Sequence, residues 1–244
     1  MALTPLLLAL TAAAGNLLGA VLLVARARRG VRAVETSLAF GAGFMLAVVL
    51  TGILPTVFEV GGPTPGLTVL LGYLAVHLAH HVLVPHFHFG EETHEVSRDV
   101  GVSALIGLSI HSFFDGVGIA SGFLHSPGLG VILFFAVMLH KLPEGLTIAS
   151  VVVAGGRPAR QGVLAAAALG GATVLGVVLT DLAAPLQRHG LALAAGVTLY
   201  VAASNLVPEV QKARRPVLTL AFLGGAAALL LLELVTRTGF GGEP

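Results

Sequence analysis

Two short segments of the chain repeat one arrangement of chemically able side chains. His111-Ser112-Phe113-Phe114-Asp115-Gly116 and His140-Lys141-Leu142-Pro143-Glu144-Gly145 each set a histidine four residues ahead of a carboxylate and close on a glycine. Residues four apart on an α-helix share a face, one turn apart. His111 therefore points with Asp115, and His140 with Glu144. If the two faces oppose each other, they form a cage of two imidazole nitrogens and two carboxylates. Such a donor set suits zinc, iron, manganese or cadmium, and is too rich in nitrogen for calcium or magnesium. The chain contains no cysteine, which excludes thiolate metal sites and disulfides.

Both segments sit in apolar surroundings, where charge is costly. A charged side chain near the centre of a bilayer costs at least about 2.5–3.5 kcal/mol on insertion scales. The chain accepts that cost at Asp115, Lys141 and Glu144. Pro143 adds a second demand, because it cannot donate to the carbonyl of Leu139. Inside a membrane such a carbonyl must be satisfied by protein, water or an ion. A polar network that only ties two helices together accounts for one such motif more readily than for two on adjacent apolar runs. Lys141 follows His140 and is rotated from it by about 100° around a helix axis. Its ammonium is thus expected beside the ligands, within reach of Asp115 and Glu144, where it would neutralise one carboxylate and repel a second cation. One intramembrane metal is expected rather than two.

The elements that must hold these motifs are membrane spans. Of the 244 residues, 56% are hydrophobic and 10% charged, with a mean hydropathy of +0.95. A soluble domain carries charge on roughly a quarter of its residues, so most of this surface must face lipid. Apolar runs able to cross about 30 Å of hydrocarbon occur at residues 4–25, 37–58, 66–84, 101–123, 129–154, 161–184, 190–208 and 216–236. The reading is an all-α polytopic membrane protein with eight transmembrane helices in one transmembrane domain over 1–244. The one sizeable loop is 85–100. The first apolar run lacks a basic leader and a clear cleavage site, and is read as a retained span rather than a signal peptide.

Orientation follows from the basic residues. Arg26, Arg28, Arg29 and Arg32 lie in the first loop, Arg98 in the third, Arg157 and Arg160 in the fifth, and Lys212, Arg214 and Arg215 in the seventh. These loops share one side and hold ten of the 13 cations. The other side has only Arg188 and Arg237. Both termini are therefore expected outside, and the 85–100 loop in the cytoplasm. Six of the ten histidines cluster around that loop: His77, His80 and His81 end the third run, and His86, His88 and His94 follow, interleaved with Glu91, Glu92 and Glu95. This segment is expected to collect or sense metal weakly, with His77 and His81 on one helical face. Asp181 and Glu233 are read as helix-end charges, His125 as a loop residue between the fourth and fifth runs, and Asn205 and Glu209 as candidates to line an exit path.

With these residues in view, the two hexapeptides resemble the fourth and fifth spans of the ZIP (Zrt/Irt-like) metal transporters, whose signatures are H-[NS]-x-x-[DE]-G and H-x-x-P-E-G. The segments "LAFGAGFMLAVVLTGILP" (38–55) and "LYVAASNLVPE" (199–209) are similar to that family's second and seventh spans. The resemblance covers nearly the whole chain. It implies a 3+2+3 arrangement of helices, a homodimer, and metal uptake toward the cytoplasm across a prokaryotic inner membrane. It also implies that His111, Asp115, His140 and Glu144 are the metal ligands, with Ser112 and Lys141 at the edge of the site. Members of the family with a paired metal site carry Asn after the first histidine, a carboxylate or Asn after the second, and a Glu in span six. Here those places hold Ser112, Lys141 and a run of Gly, Ala, Thr, Val and Leu near 170–176.

The expected function is transport of a divalent metal, zinc foremost, with iron, manganese and cadmium left open. The metal is cargo; no cofactor and no nucleic acid partner are expected. Two other readings compete. A membrane-embedded zinc-dependent hydrolase would also hold zinc with His and Asp, but it needs an open position for water, and four protein ligands close the site. A passive cation channel would favour rings of carboxylates.

Overall fold

A computed structural model of the chain describes residues 3–25, 31–60, 64–79, 98–212 and 214–239. The described residues are helical throughout apart from short turns, and none is in a strand. In chain order the elements are α1 (Leu3–Ala25), α2 (Val31–Ala47), a π-helical stretch π1 (Val48–Ile53), α3 (Leu54–Val60), α4 (Pro65–Leu78), α5 (Arg98–His125), α6 (Pro127–Ala154), α7 (Ala159–Leu182), α8 (Ala184–Leu199), a second π-helical stretch π2 (Tyr200–Leu206), α9 (Val207–Lys212) and α10 (Pro216–Gly239). Among the described residues, six helical stretches are long and apolar enough to cross a membrane, and Pro65–Leu78 and Pro216–Leu232 are shorter apolar helices.

The burial pattern is that of a protein solvated by lipid. On α1 the residues turned inward are Ala9, Ala12, Asn16 and Ala20, while Leu7, Leu10, Leu18 and Leu22 face outward. Small residues lie inside because helices in a membrane gain from close backbone approach rather than from expelling water. The tightest approaches are made by glycine. A Cβ built on Gly145 of α6 would lie 2.0 Å from the carbonyl oxygen of Asn16, and one on Gly19 of α1 would lie 2.1 Å from that of Leu142. Helices α5 and α7 meet in the same reciprocal way, through Gly116 against the Thr173 carbonyl at 1.9 Å and Gly176 against the Phe113 carbonyl at 2.0 Å.

These contacts permit a controlled test. Gly171 on the lipid side of α7 has nothing within 4 Å of its added Cβ. Gly176→Val should therefore lower stability by about 3 kcal/mol, the upper end for overpacking against backbone that cannot yield. Gly171→Val changes the same helix propensity and should leave the thermal unfolding of purified protein nearly unchanged. Equal losses in both variants would show that propensity, and not the crossing, sets the cost.

Three local features differ from the sequence reading. The seventh run was expected to begin at 190, but α8 begins at Ala184 with Pro185 in its first turn. Proline is favoured there because the N–H it lacks has no helical partner in that turn. His125 was expected in a loop, yet it is the last residue of α5. Ser126 alone joins α5 to α6, and its side chain accepts from the Leu129 amide at 3.2 Å as an N-cap. The π-helical stretches were not foreseen. Each ends on an i→i−5 bond, Leu54 N–H to the Val49 carbonyl and Val207 N–H to the Ala202 carbonyl. In both cases a proline follows directly, Pro55 or Pro208. A proline removes the next helical donor and its ring crowds the carbonyl four residues back; one extra residue in the turn relieves both.

Candidate metal site

Helices α5 and α6 run side by side, joined by their one-residue connection, and this places the two hexapeptides opposite each other. His111, Asp115, His140 and Glu144 are all buried, and each offers a ligand atom within 4.8 Å of the others. The two imidazole rings lie 5.3 Å apart between centroids. Oδ2 of Asp115 is the hub, 3.2 Å from His140 Nε2 and 3.5 Å from His111 Nε2. Tetrahedral zinc with bonds near 2.1 Å holds its ligand atoms about 3.4 Å apart. Both distances to Asp115 Oδ2 are close to that spacing.

His140 Nδ1 lies 2.9 Å from the Ala136 carbonyl, and a carbonyl only accepts, so Nδ1 carries a hydrogen. Nε2 on the other side of the ring lies 3.2 Å from Asp115 Oδ2, within hydrogen-bonding distance. His111 Nδ1 is buried without a hydrogen-bond partner.

Lys141 is fully buried, so it does not snorkel to an interface. Its ammonium lies 2.7 Å from Asp115 Oδ2 and donates to Glu144 Oε2 at 2.6 Å and Ser112 Oγ at 2.9 Å. The Ser112 hydroxyl donates in turn to Glu144 Oε1 at 2.6 Å. The ammonium was expected beside the histidines and within reach of Asp115 and Glu144; it bonds directly to both carboxylates. The i, i+3 step from Lys141 to Glu144 along α6 explains why, since that step also shares a face.

The other candidates lie elsewhere. His77 stacks on Tyr73 at 6.4 Å and meets Tyr200 edge-on at 5.7 Å, and it does not join the four-residue cluster. His81, His86, His88 and His94 lie outside the described residues. Two residues that the sequence reading underused belong to the site's surroundings. Asn205 lines a small void together with His111, His140 and Glu144. Asn16 is fully buried on α1 beside Gly145, with both amide atoms unpartnered; an Asn within an apolar run was the available signal.

A family model described as ZIP Zinc transporter matches residues 90–233, which is more than half of the chain. The protein belongs to the ZIP zinc transporter family. It is similar to zinc transporter ZupT of Enterobacter sp. (strain 638), 30% identical over 97% of this chain and 99% of that protein. It is also similar to human zinc transporter ZIP6, 32% identical over 51% of this chain and 18% of that protein. Human zinc transporter ZIP4 is 33% identical over 53% of this chain and 22% of its own length. The chain thus spans about a fifth of the length of these human relatives. The family is one of transporters, so the hydrolase reading finds no support. The six long apolar helices fit an integral membrane protein of this family.

Proposed function

We propose that the protein carries zinc toward the cytoplasm through one intramembrane site made by His111, Asp115, His140 and Glu144, with Ser112 and Lys141 at its edge. The observation that carries this reading is the spacing of the two imidazole Nε2 atoms about Asp115 Oδ2, 3.2 and 3.5 Å away. The near full-length similarity to a protein named as a zinc transporter supports zinc as cargo. A single metal is favoured because Lys141 already holds a positive charge against both carboxylates.

The surrounding architecture is proposed as eight spans in a 3+2+3 arrangement. Six long helices account for six of them. The helix Pro65–Leu78 has 14 residues, about 21 Å, and crosses fully only if it continues beyond Leu78. The helix α10 has 24 residues, about 36 Å, and is long enough. The bias of basic residues to four loops supports both termini outside, and the family pattern supports a homodimer in a prokaryotic inner membrane.

Purified protein in liposomes should accumulate zinc in a saturable way, above empty liposomes, when challenged with zinc, iron, manganese and cadmium in turn. Saturation at a finite rate per protein separates a carrier from a channel. Absence of uptake for every metal in the panel would overturn the proposal.

A further inference from the structure

A cavity of about 250 Å³ lies away from the metal cage, where the first turns of α5 and α7 meet the last turns of α6. Its walls are apolar: Leu105 from α5, Val151 from α6, and Leu164 and Ala168 from α7. Ala168 carries only a methyl group, and a larger side chain there would take up the room. The cavity opens on the outer face of the bundle, since Leu164 at its rim is 55% exposed. Along α7 it extends from the helix start at Ala159 to Ala168, about 14 Å of helix. That is close to the depth of one leaflet in a hydrocarbon core about 30 Å thick.

The mouth of the cavity is basic, and its backbone is fixed. Helix α6 ends in a Schellman turn, in which the Gly156 amide donates to the Val153 carbonyl at 3.0 Å and the Arg157 amide to that of Val152 at 3.2 Å. Gly156 has a φ of 75°, a conformation that costs glycine no Cβ clash. The turn sets Arg157 at the mouth, and a hydrogen bond from its Nη1 to Gln161 Oε1 at 3.1 Å steers the side chain. Both residues line the cavity. A guanidinium carries five N–H donors, so most of them stay available. Among the described residues no carboxylate pairs with Arg157 or Arg160, and the first turn of α7 contains no acid. The N-terminal amides of α7 add to the positive potential at the same place.

Resting on the membrane orientation proposed above, which sets this mouth in the cytoplasmic leaflet, we propose that the cavity binds one anionic phospholipid. An acyl chain lies against Leu105, Val151, Leu164 and Ala168, and the phosphate meets Arg157. Basic pockets between spans on the cytoplasmic side suit acidic head groups, and a guanidinium can pair with phosphate through two parallel hydrogen bonds. A zwitterionic lipid would bring its own cation to the same place and gain less. The occupant touches α5, α6 and α7 together. His111 lies six residues beyond Leu105, and Glu144 seven before Val151. The lipid thus braces the cytoplasmic ends of the two helices that carry the proposed ligands.

The test is native mass spectrometry of the full-length protein, free of metal, with an equimolar mixture of phosphatidylglycerol and phosphatidylcholine. Wild type should retain one phosphatidylglycerol per chain, preferred over phosphatidylcholine by at least about fivefold, the worth of one basic side chain beside an anionic surface. Arg157→Gln should abolish the preference. Ala168→Phe keeps the charge but fills the cavity, and should lose the bound lipid while its thermal unfolding in detergent matches wild type. Arg188→Gln removes an exposed arginine on α8 and should behave as wild type. Equal retention of the two lipids by wild type would overturn the proposal, as would full binding in Ala168→Phe or an equal loss of preference in Arg188→Gln. So would retention of glycerol 3-phosphate as tight as that of the lipid, which would make this a site for free phosphate esters. Because no metal is present, failure of zinc uptake leaves this result standing, and failure of the lipid preference leaves the metal site untouched.

Discussion

His140→Ala is expected to lose zinc uptake by at least about a hundredfold, the upper range for removing even an outer-shell partner of a bound metal, while remaining folded. His140 is the instructive choice among the four proposed ligands. Its Nδ1 hydrogen bond runs to the backbone of its own helix, and Asp115, which loses the Nε2 contact at 3.2 Å, keeps the Lys141 ammonium at 2.7 Å. The Lys141 contacts to Asp115, Glu144 and Ser112 do not pass through it. Loss of uptake with unchanged thermal unfolding in the absence of metal would therefore report the ligand role alone. Calorimetry should show zinc binding weakened in parallel. Uptake within a few-fold of wild type would remove His140 from the site and with it the proposed cage.

Lys141→Asp is expected to convert a site for one metal into a site for two. The wild-type protein should bind a single intramembrane zinc per chain by calorimetry. The ammonium already lies against both carboxylates, 2.7 Å from Asp115 and 2.6 Å from Glu144. Exchange for aspartate removes one positive charge and adds a negative one, leaving three carboxylates together. Without metal the variant should be destabilised by about 3–5 kcal/mol, the usual result of removing one partner from a buried ion pair. Zinc should restore much of that loss, so the rise in melting temperature on adding zinc should be larger in the variant than in wild type. Two zinc ions per wild-type chain would refute the role given to Lys141, as would a variant that still binds one.

Much of the site could be read from the chain because it is written in local spacing. His111 with Asp115, and His140 with Glu144, are one helical turn apart, and the structure needed only to place α5 against α6. The single-residue connection at Ser126 made that placement almost unavoidable. Contacts between distant segments were legible only in part. Lys141 was expected within reach of Asp115 and Glu144, but direct bonding to both depends on the relative rotation of α5 and α6, which a helix period alone does not give. Asn205 was a candidate by its place in the seventh run, and only the packing of π2 beside α5 and α6 brings it to the void lined by His111, His140 and Glu144. The π-helical turns were signalled by Pro55 and Pro208, but a proline in an apolar run is compatible with a kink, a break or a bulge. At Pro143 the same residue type leaves α6 as one 28-residue helix. The length of the fourth element was the least legible, because its apolar run continues into residues beyond 79 that the structure does not describe.

The connection between α5 and α6 also bears on how the protein enters its membrane. A segment threaded into the bilayer by itself must desolvate its charges unaided, at a cost of at least about 2.5–3.5 kcal/mol each. For the apolar part of α5, Ala104–His125, that charge is Asp115; for α6 there are two, Lys141 and Glu144. With one residue at the turn, the two segments are too closely tethered to be inserted as independent units, and they must partition as a hairpin. The lysine then reaches both carboxylates while all three are leaving water, so neutralisation is achieved during biosynthesis and not after it. Ser126 thereby shortens the interval in which the most hydrophilic part of the chain lies unpaired in lipid.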